Sequence, residues 1–294
     1  MENLTGKKAL IILTNESFMP KSGRGGRRLL SDGLYIKENP QGAILQGSPA
    51  AWIPSQPTIL DPPTSYASIS NTEDDFAQGH QKTGVDIFEL GYIWMTLYRK
   101  MHMELTFATP RGGPVAADPL SMERIEKDSK LRDTLREERD LVMRMGHTIP
   151  ISWVKPTEFD LVVFLGGHGA MFDLPEHDDV ACAVAEIYRK GGVVAAIGHG
   201  VAGLLNVKTE RRSGEYLIKG KRITCFTKEE ERKTGYEKFL PYILEDRVRE
   251  RGAKLDIKSP FETNVVMDER IVTAQNAPSI HEFVTKVTEQ LRHK

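Results

Sequence analysis

Two short runs in this chain are apolar at every position, Leu161 to Leu165 in "FDLVVFLGGHGA" and Val193 to Ile197 in "VVAAIGHGVAGLLN", and each ends in glycines. A strand with water on one face alternates polar and apolar side chains, so runs without alternation belong to a sheet covered on both faces. Between them, "DDVACAVAEIYRKGG" carries acidic residues at its start and Gly191 and Gly192 at its stop, as a helix dipole and a left-handed cap favour. Strand, helix and strand in this order join parallel neighbours by a right-handed crossover. Ligands in such sheets bind beyond the carboxyl ends of the strands, where both glycine clusters fall.

The rest of the chain extends this pattern. "KALIILT" (8 to 14) reads as the first buried strand, and "MELTFATP" (103 to 110) as another that stops at Pro110. Ile87, Leu90, Ile93, Trp94, Leu97 and Met101 repeat at helical spacing, predicting a helix over 85–102 that packs on the sheet. Charges that pair at helical spacing predict one solvated helix over 121–145, within a helical cap at about 111–155. From about Pro20 to His80 the chain is rich in Gly, Pro and Ser and has no sustained period. That stretch reads as an insertion, either a lid or a disordered segment. A single domain over 1–294 accommodates all of these elements.

Forty basic and 41 acidic residues leave a net charge of −1, which draws the chain neither to nucleic acid nor to an anionic membrane. Cys182 and Cys225 have no paired spacing, so a disulfide framework and a thiolate metal site are not expected. With no cleavable leader and no membrane-length apolar run, the expectation is a cytoplasmic protein that needs no cofactor and acts on a small molecule.

A buried strand that turns sharply through small residues into a helix presents one side chain at its apex, as in a nucleophile elbow. Here "VVAAI" is the strand, Gly198, His199 and Gly200 the turn, and "VAGLLN" the helix start, whose amides would suit a carboxylate or a developing oxyanion. The apex is Gly198, which has no nucleophilic atom.

The segments "KTGVDIFELGYIW" (82 to 94), "GGHGAMFDLP" (166 to 175), "AAIGHGVAGLLN" (195 to 206) and "KGKRITCFTKEEE" (219 to 231) together resemble the ThiJ/PfpI superfamily. The branch they resemble holds the heat-shock-inducible chaperone and the glutathione-independent glyoxalases of glyoxalase III type. The resemblance covers nearly the whole chain outside 20–80. It implies a flavodoxin-like, doubly wound parallel sheet with helices on both faces, of the class I glutamine amidotransferase-like kind, and a homodimer. It also implies that residue 198 is the place of a catalytic cysteine, here Gly198, and that His199 is the histidine beside it. Glu89 matches the glutamate that shares a proton with that cysteine, and Glu231, in the strand-end segment after "ITCFT", matches the carboxylate that orients the histidine. Gly167, His168 and Gly200 fall on the oxyanion and substrate side.

Chemistry that starts from a low-pKa thiolate cannot run on glycine. Three readings follow. In the first, Glu89 and His199 run acid-base chemistry on a carbonyl compound, as a lyase, hydratase or isomerase. In the second, the chain is a silent pseudoenzyme or a chaperone-like stress protein. In the third, Gly198 is an engineered replacement in a methylglyoxal-to-lactate glyoxalase. Cys225 reads as unreactive, and Cys182 as a small buried hydrophobe. His168 and His177, with Asp173, Glu176, Asp178 and Asp179, invite a metal reading, but acidic residues at a helix start explain the cluster more cheaply. His80 and His102 are candidates to join Glu89 at a metal, with nothing in the sequence to fix their geometry. No metal is expected, and "SGRGGRR" (22 to 28) lacks the strand and helix a phosphate loop needs.

Overall fold

Lys8–Ile12 (β1), Glu104–Thr109 (β2), Ile149–Pro150 (β3), Leu161–Phe164 (β4), Val193–Ile197 (β5), Val265–Asp268 (β6) and Ile271–Ala274 (β7) form one sheet in the order β6-β7-β5-β4-β1-β2-β3. All neighbours pair in parallel except β6 and β7. Every residue of β4, β5 and β7 is buried, as runs without alternation require. The computed structural model describes residues 4–19, 81–210 and 213–292. The expected insertion at 20–80, with His80 and the "SGRGGRR" segment, lies outside them. Among the described residues, no helix is long and apolar enough to cross a membrane.

Ile87–Ile93 (α1) begins where the Asp86 side chain accepts the Glu89 amide, and it buries Ile87, Leu90 and Ile93. The helical run continues to Lys100 as expected, but Trp94–Lys100 is a wider π-type turn, in which the Met101 amide reaches back to the Thr96 carbonyl. The charged stretch differs more from expectation. It is three short helices, Pro119–Lys127 (α2), Ser129–Glu137 (α3) and Arg139–Gly146 (α4), instead of one. The breaks have local causes. The Asp128 carboxylate caps α3 through the Leu131 amide and accepts the Tyr92 hydroxyl, while Glu138 accepts the Trp94 indole and pairs with Arg99. Nor is the layer merely solvated. Ile125, Leu131, Leu135, Leu141 and Met145 are buried, and Leu131 and Leu135 close over Gly91 of α1.

Asp178–Arg189 (α5), Lys228–Thr234 (α6) and Ile280–Arg292 (α7) complete the elements used below. Cys182, expected to be buried, is only half-buried on α5. Asp173 is not a solvated helix-start charge. It is buried, accepting the Thr14 hydroxyl and the Asn15 amide, and burial raises its carboxyl to about 7.

After β5 the chain enters a 3-10 turn, Gly198–Leu204, so the α-helix N-terminus expected there is absent and its dipole carries nothing. The two elbow glycines differ in kind. A Cβ on Gly200 would stand 2.7 Å from the carbonyl oxygens of Phe164 and Leu165, so the elbow closes on the end of β4 only without a side chain. Gly198 sits at φ +57°, and a Cβ there would meet only Glu89 Oε1, at 3.6 Å. Gly198→Ala should therefore fold with a loss of about 1 kcal/mol from the left-handed backbone. Gly200→Ala should lose about 3 kcal/mol through overpacking. Chemical denaturation of the two variants checks the ranking, and equal losses would contradict it.

Candidate functional site

The carboxyl ends of β4, β5 and β7 surround a cavity of about 210 Å³. Glu89, Gly167, His168, Gly198 and His199 border it, together with Asp86, Asp118, Arg124, Phe226 and Asn276. Five of the residues singled out from sequence are thus brought together. Glu231 stands behind the wall, holding both histidines. Gly200 is not in the wall, because its place is against the β4 carbonyls.

Glu89 comes from the first turn of α1. One oxygen accepts the Gly166 amide at 2.7 Å, and the other faces the open space over Gly198. Burial, reinforced by the neighbouring Asp86 carboxylate, pushes the Glu89 carboxyl well above its ordinary value. Its surroundings thus favour the neutral, protonated form. Asp86 is itself raised by burial, against the pull of Arg124, whose guanidinium is ion-paired with it.

Glu231 lies one helical turn into α6, not at a strand end. The α6 start is fixed by a capping box between Thr227 and Glu230. Its two oxygens serve two rings, Oε2 accepting from His199 Nε2 at 2.7 Å and Oε1 from His168 Nε2 at 2.9 Å. The ring centroids are 4.2 Å apart. Burial alone would raise the Glu231 carboxyl, but His199 and His168 together hold it well below the usual carboxylate range. Burial alone would also lower His168. The carboxylates of Asp118, 3.8 Å from Nδ1, and of Glu231 outweigh it and bring the ring to about 9. His199 goes the other way, lowered by burial and by the charge on His168 despite Glu231. Because Nε2 donates its hydrogen bond to the Glu231 carboxylate, the neutral His199 ring keeps its proton there and carries a bare Nδ1, which has no hydrogen-bond partner among the described residues. Phe226 lies against the same ring, with centroids 4.4 Å apart.

The His168, His199 and Glu231 donors lie within 4.8 Å of one another, the spacing of a possible ion site, and the hydrogen bonds through Glu231 account for that closeness. His102 is exposed at the amino end of β2, away from the carboxyl ends where Glu89 lies, so it does not fit a metal shared with Glu89. Cys225 is buried, and burial with Glu245 and Glu230 pushes its thiol well above the ordinary value, as an unreactive cysteine requires.

Sequence reading placed His168 by its backbone amide and weighed its ring only in the metal reading with His177, so its contact with Glu231 was missed, as were Asp86, Asp118 and Arg124. Asp86 and Asp118 each precede a helix start, which marks them as caps. That they also face a cavity depends on long-range packing, and no local signal carries it.

With this geometry in place, comparison with known proteins is direct. Over 245 residues the chain is 29% identical to a glutathione-independent glyoxalase of Saccharomyces cerevisiae, covering 80% of this chain and 100% of that one. It is 28% identical over 223 residues to glyoxalase 3 of Candida albicans, covering 72% of this chain and 91% of that one. The crystal structure of Candida albicans glyoxalase III matches the fold with a TM-score of 0.66 at 24% identity, over 97% of both chains. The Rapid Encystment Protein of 24 kDa from Francisella tularensis matches with a TM-score of 0.66 at 25% identity, over 97% of this chain and 99% of that one. The DJ-1/PfpI family model matches residues 89–290, and the chain belongs to the DJ-1/PfpI family.

Proposed function

We propose that the chain is an acid-base enzyme acting on a small carbonyl compound, with Glu89 as the acid and His199 as the base. One observation carries this reading. Glu89, whose carboxyl burial pushes well above its ordinary value, and His199, whose ring burial and the His168 charge push down, line the same cavity beside Gly198, so burial favours a neutral carboxyl facing a neutral imidazole. Support also comes from the relatives named glyoxalases, which handle carbonyl chemistry, and from the thiol being absent here.

The substrate carbonyl oxygen takes the place over Gly198 and accepts the hydrogen bond from Glu89. His199 Nδ1 removes the proton from the adjacent carbon as Glu89 protonates the oxygen, giving an enediol when that carbon bears a hydroxyl. In an isomerisation His199 returns its proton to the former carbonyl carbon while the other enediol hydroxyl gives its proton to Glu89 and becomes the new carbonyl; in a dehydration the His199 proton goes to the hydroxyl on the next carbon, which leaves as water while the enol oxygen returns its proton to Glu89. Gly167 and His168 contribute backbone amides to the oxygen side, and Leu120, Phe226, Ala277 and Pro278 give the cavity an apolar flank that excludes water. At about 210 Å³ the cavity lies below the roughly 300 Å³ where drug-sized pockets begin, which restricts the substrate to a small metabolite.

The test is proton NMR in D₂O with hydroxyacetone, dihydroxyacetone and methylglyoxal. Exchange of hydrogens next to the carbonyl should exceed the buffer rate and fall at least about 100-fold in Glu89→Gln and in His199→Ala. No exchange above buffer with any of the three overturns the reading.

Glu89→Gln should also separate function from stability. The folded carboxyl keeps its proton above pH 4.5, where the unfolded chain releases it. Its contribution is therefore complete below that pH and declines as pH rises toward the folded value. Glutamine has no such decline. The variant should grow more stable relative to the parent from about pH 5 upward, by at most about 1.4 kcal/mol per pH unit. Denaturation midpoints between about pH 4 and pH 8 measure this, and a parent that gains on the variant as pH rises would contradict a buried protonated Glu89.

Gly198→Cys tests the vacant thiol position. Its side chain would start 3.6 Å from Glu89 Oε1, and the variant should form lactate from methylglyoxal without glutathione while the parent does not. Lactate formation by the parent would show that the thiol is dispensable.

A further inference from the structure

His168 does more in this site than provide a backbone amide. Its ring is buried between two carboxylates from different elements, Asp118 at the head of α2 and Glu231 on α6, and it lies against the rings of His199 after β5 and of Tyr236 beyond α6. Asp118 is itself held by the Thr83 hydroxyl and the Leu120 amide, so it is a fixed brace. Among the described residues, the basic partners of Glu231 are the two histidines. Oε1 also receives the Thr234 hydroxyl, while Oε2 faces His199 alone.

We infer that the His168 side chain, braced by Asp118, is a positioning residue for His199. It anchors one oxygen of Glu231 so that the other fixes the Nε2 proton of His199 and leaves Nδ1 bare at the cavity.

The chain of contacts runs Asp118, His168, Glu231, His199. Without a cation on the far side of Glu231, the carboxylate would turn its whole charge on His199 and draw a second proton onto that ring. A doubly protonated His199 has no lone pair for a base. With the His168 imidazolium in place, Glu231 is neutralised by its other neighbour, and the like charge 4.2 Å away disfavours charging His199. The arrangement uses one buried cation to keep the adjacent ring neutral. The inference rests on the acid-base reading for the purpose of the bare Nδ1, but the contacts and the proton states stand without it.

The test uses the full chain with ¹⁵N-labelled histidine, the signals of His168 and His199 being assigned from His168→Gln and His199→Gln. In the parent, between about pH 6 and pH 8, His199 should be neutral with its proton on Nε2, and His168 should carry protons on both nitrogens. Glutamine at 168 keeps a hydrogen bond to Glu231 without the charge, so His168→Gln should raise the titration midpoint of His199 by roughly one pH unit or more. Asp118→Asn removes one of the two carboxylates and should lower the His168 midpoint. A role for His168 in packing alone would change the melting temperature and leave the His199 titration where it is. The inference is overturned if His168 is neutral in the parent at pH about 7, or if a folded His168→Gln variant leaves the His199 tautomer and midpoint unchanged. Should His168→Gln fail to fold, the parent spectrum and Asp118→Asn decide. These readouts need no turnover, so an inactive protein with the stated proton states would count against the acid-base reading and not against the positioning role.

Discussion

Backbone segments meet at the carboxyl end of β4 more closely than side chains permit, and the site depends on that convergence. A Cβ on Gly167, at φ +96°, would overlap the carbonyl oxygen of Gly84, and one on Gly200 would press on the carbonyls of Phe164 and Leu165. These approaches seat the start of α1 and the elbow against the loop that follows β4. Glu89 can then accept the Gly166 amide, and His168 and His199 can reach a common carboxylate. A larger residue at 167 or 200 would separate the acid, the base and their brace before it touched any of them. The precision of the site is set by main-chain contact, which is stiffer than a network of side chains alone.

The electrostatics follow from how many charges the cavity wall can hold without water. Asp86, Glu89, Asp118 and Glu231 are four buried carboxyls, with Arg124 and His168 as the cationic partners that border the cavity. Each carboxyl takes the state its surroundings allow. Asp118 and Glu231 share His168 and are held low, Asp86 is ion-paired with Arg124, and Glu89, with burial and the Asp86 carboxylate outweighing the pull of Arg124, is pushed well above its ordinary value. Glu89 is thus pushed toward its neutral form because the nearby cations are engaged by other carboxylates. His199 is pushed toward its neutral form for the complementary reason, since the cation near it disfavours a second proton. A buried protonated carboxyl and a buried neutral imidazole both weaken the fold at some pH, and their retention in one cavity fits a chemical use.

Much of this was legible before any coordinates. Uninterrupted apolar runs identified the buried strands, glycines after β4 and β5 marked the ligand end of the sheet, and a strand followed by Gly198, His199 and Gly200 located the elbow. The errors have physical causes. Charge spacing over 121–145 is satisfied equally by one helix and by three, and the choice was made by Asp128 and Glu138, whose partners Tyr92 and Trp94 lie far back in the sequence. The α-helix expected after the elbow became a 3-10 turn. The carboxylates near His168 in sequence are not its partners; Glu231 is 63 residues away and Asp118 lies at the head of a different helix, so its side-chain role could not be read locally. Sequence patterns locate side chains on faces and at strand ends, while the partner of a buried charge is fixed only when distant elements pack.

Gly198 ties these threads together. The apex backbone is left-handed, a conformation that costs any other residue roughly 1–2 kcal/mol, so a nucleophile there must return more in function than it costs in strain. A chain whose chemistry runs through Glu89 and His199 has no use for that side chain, and glycine relaxes the turn while opening the space where a carbonyl oxygen would sit. The glycine also leaves intact what a thiol would have depended on. The acid still points at the apex, the histidine is still held by Glu231, and the Gly198 pocket still admits a Cβ without collision. Replacing such buried groups with apolar ones is commonly neutral or stabilising, so four buried carboxyls around one cavity are a cost that the fold by itself does not require.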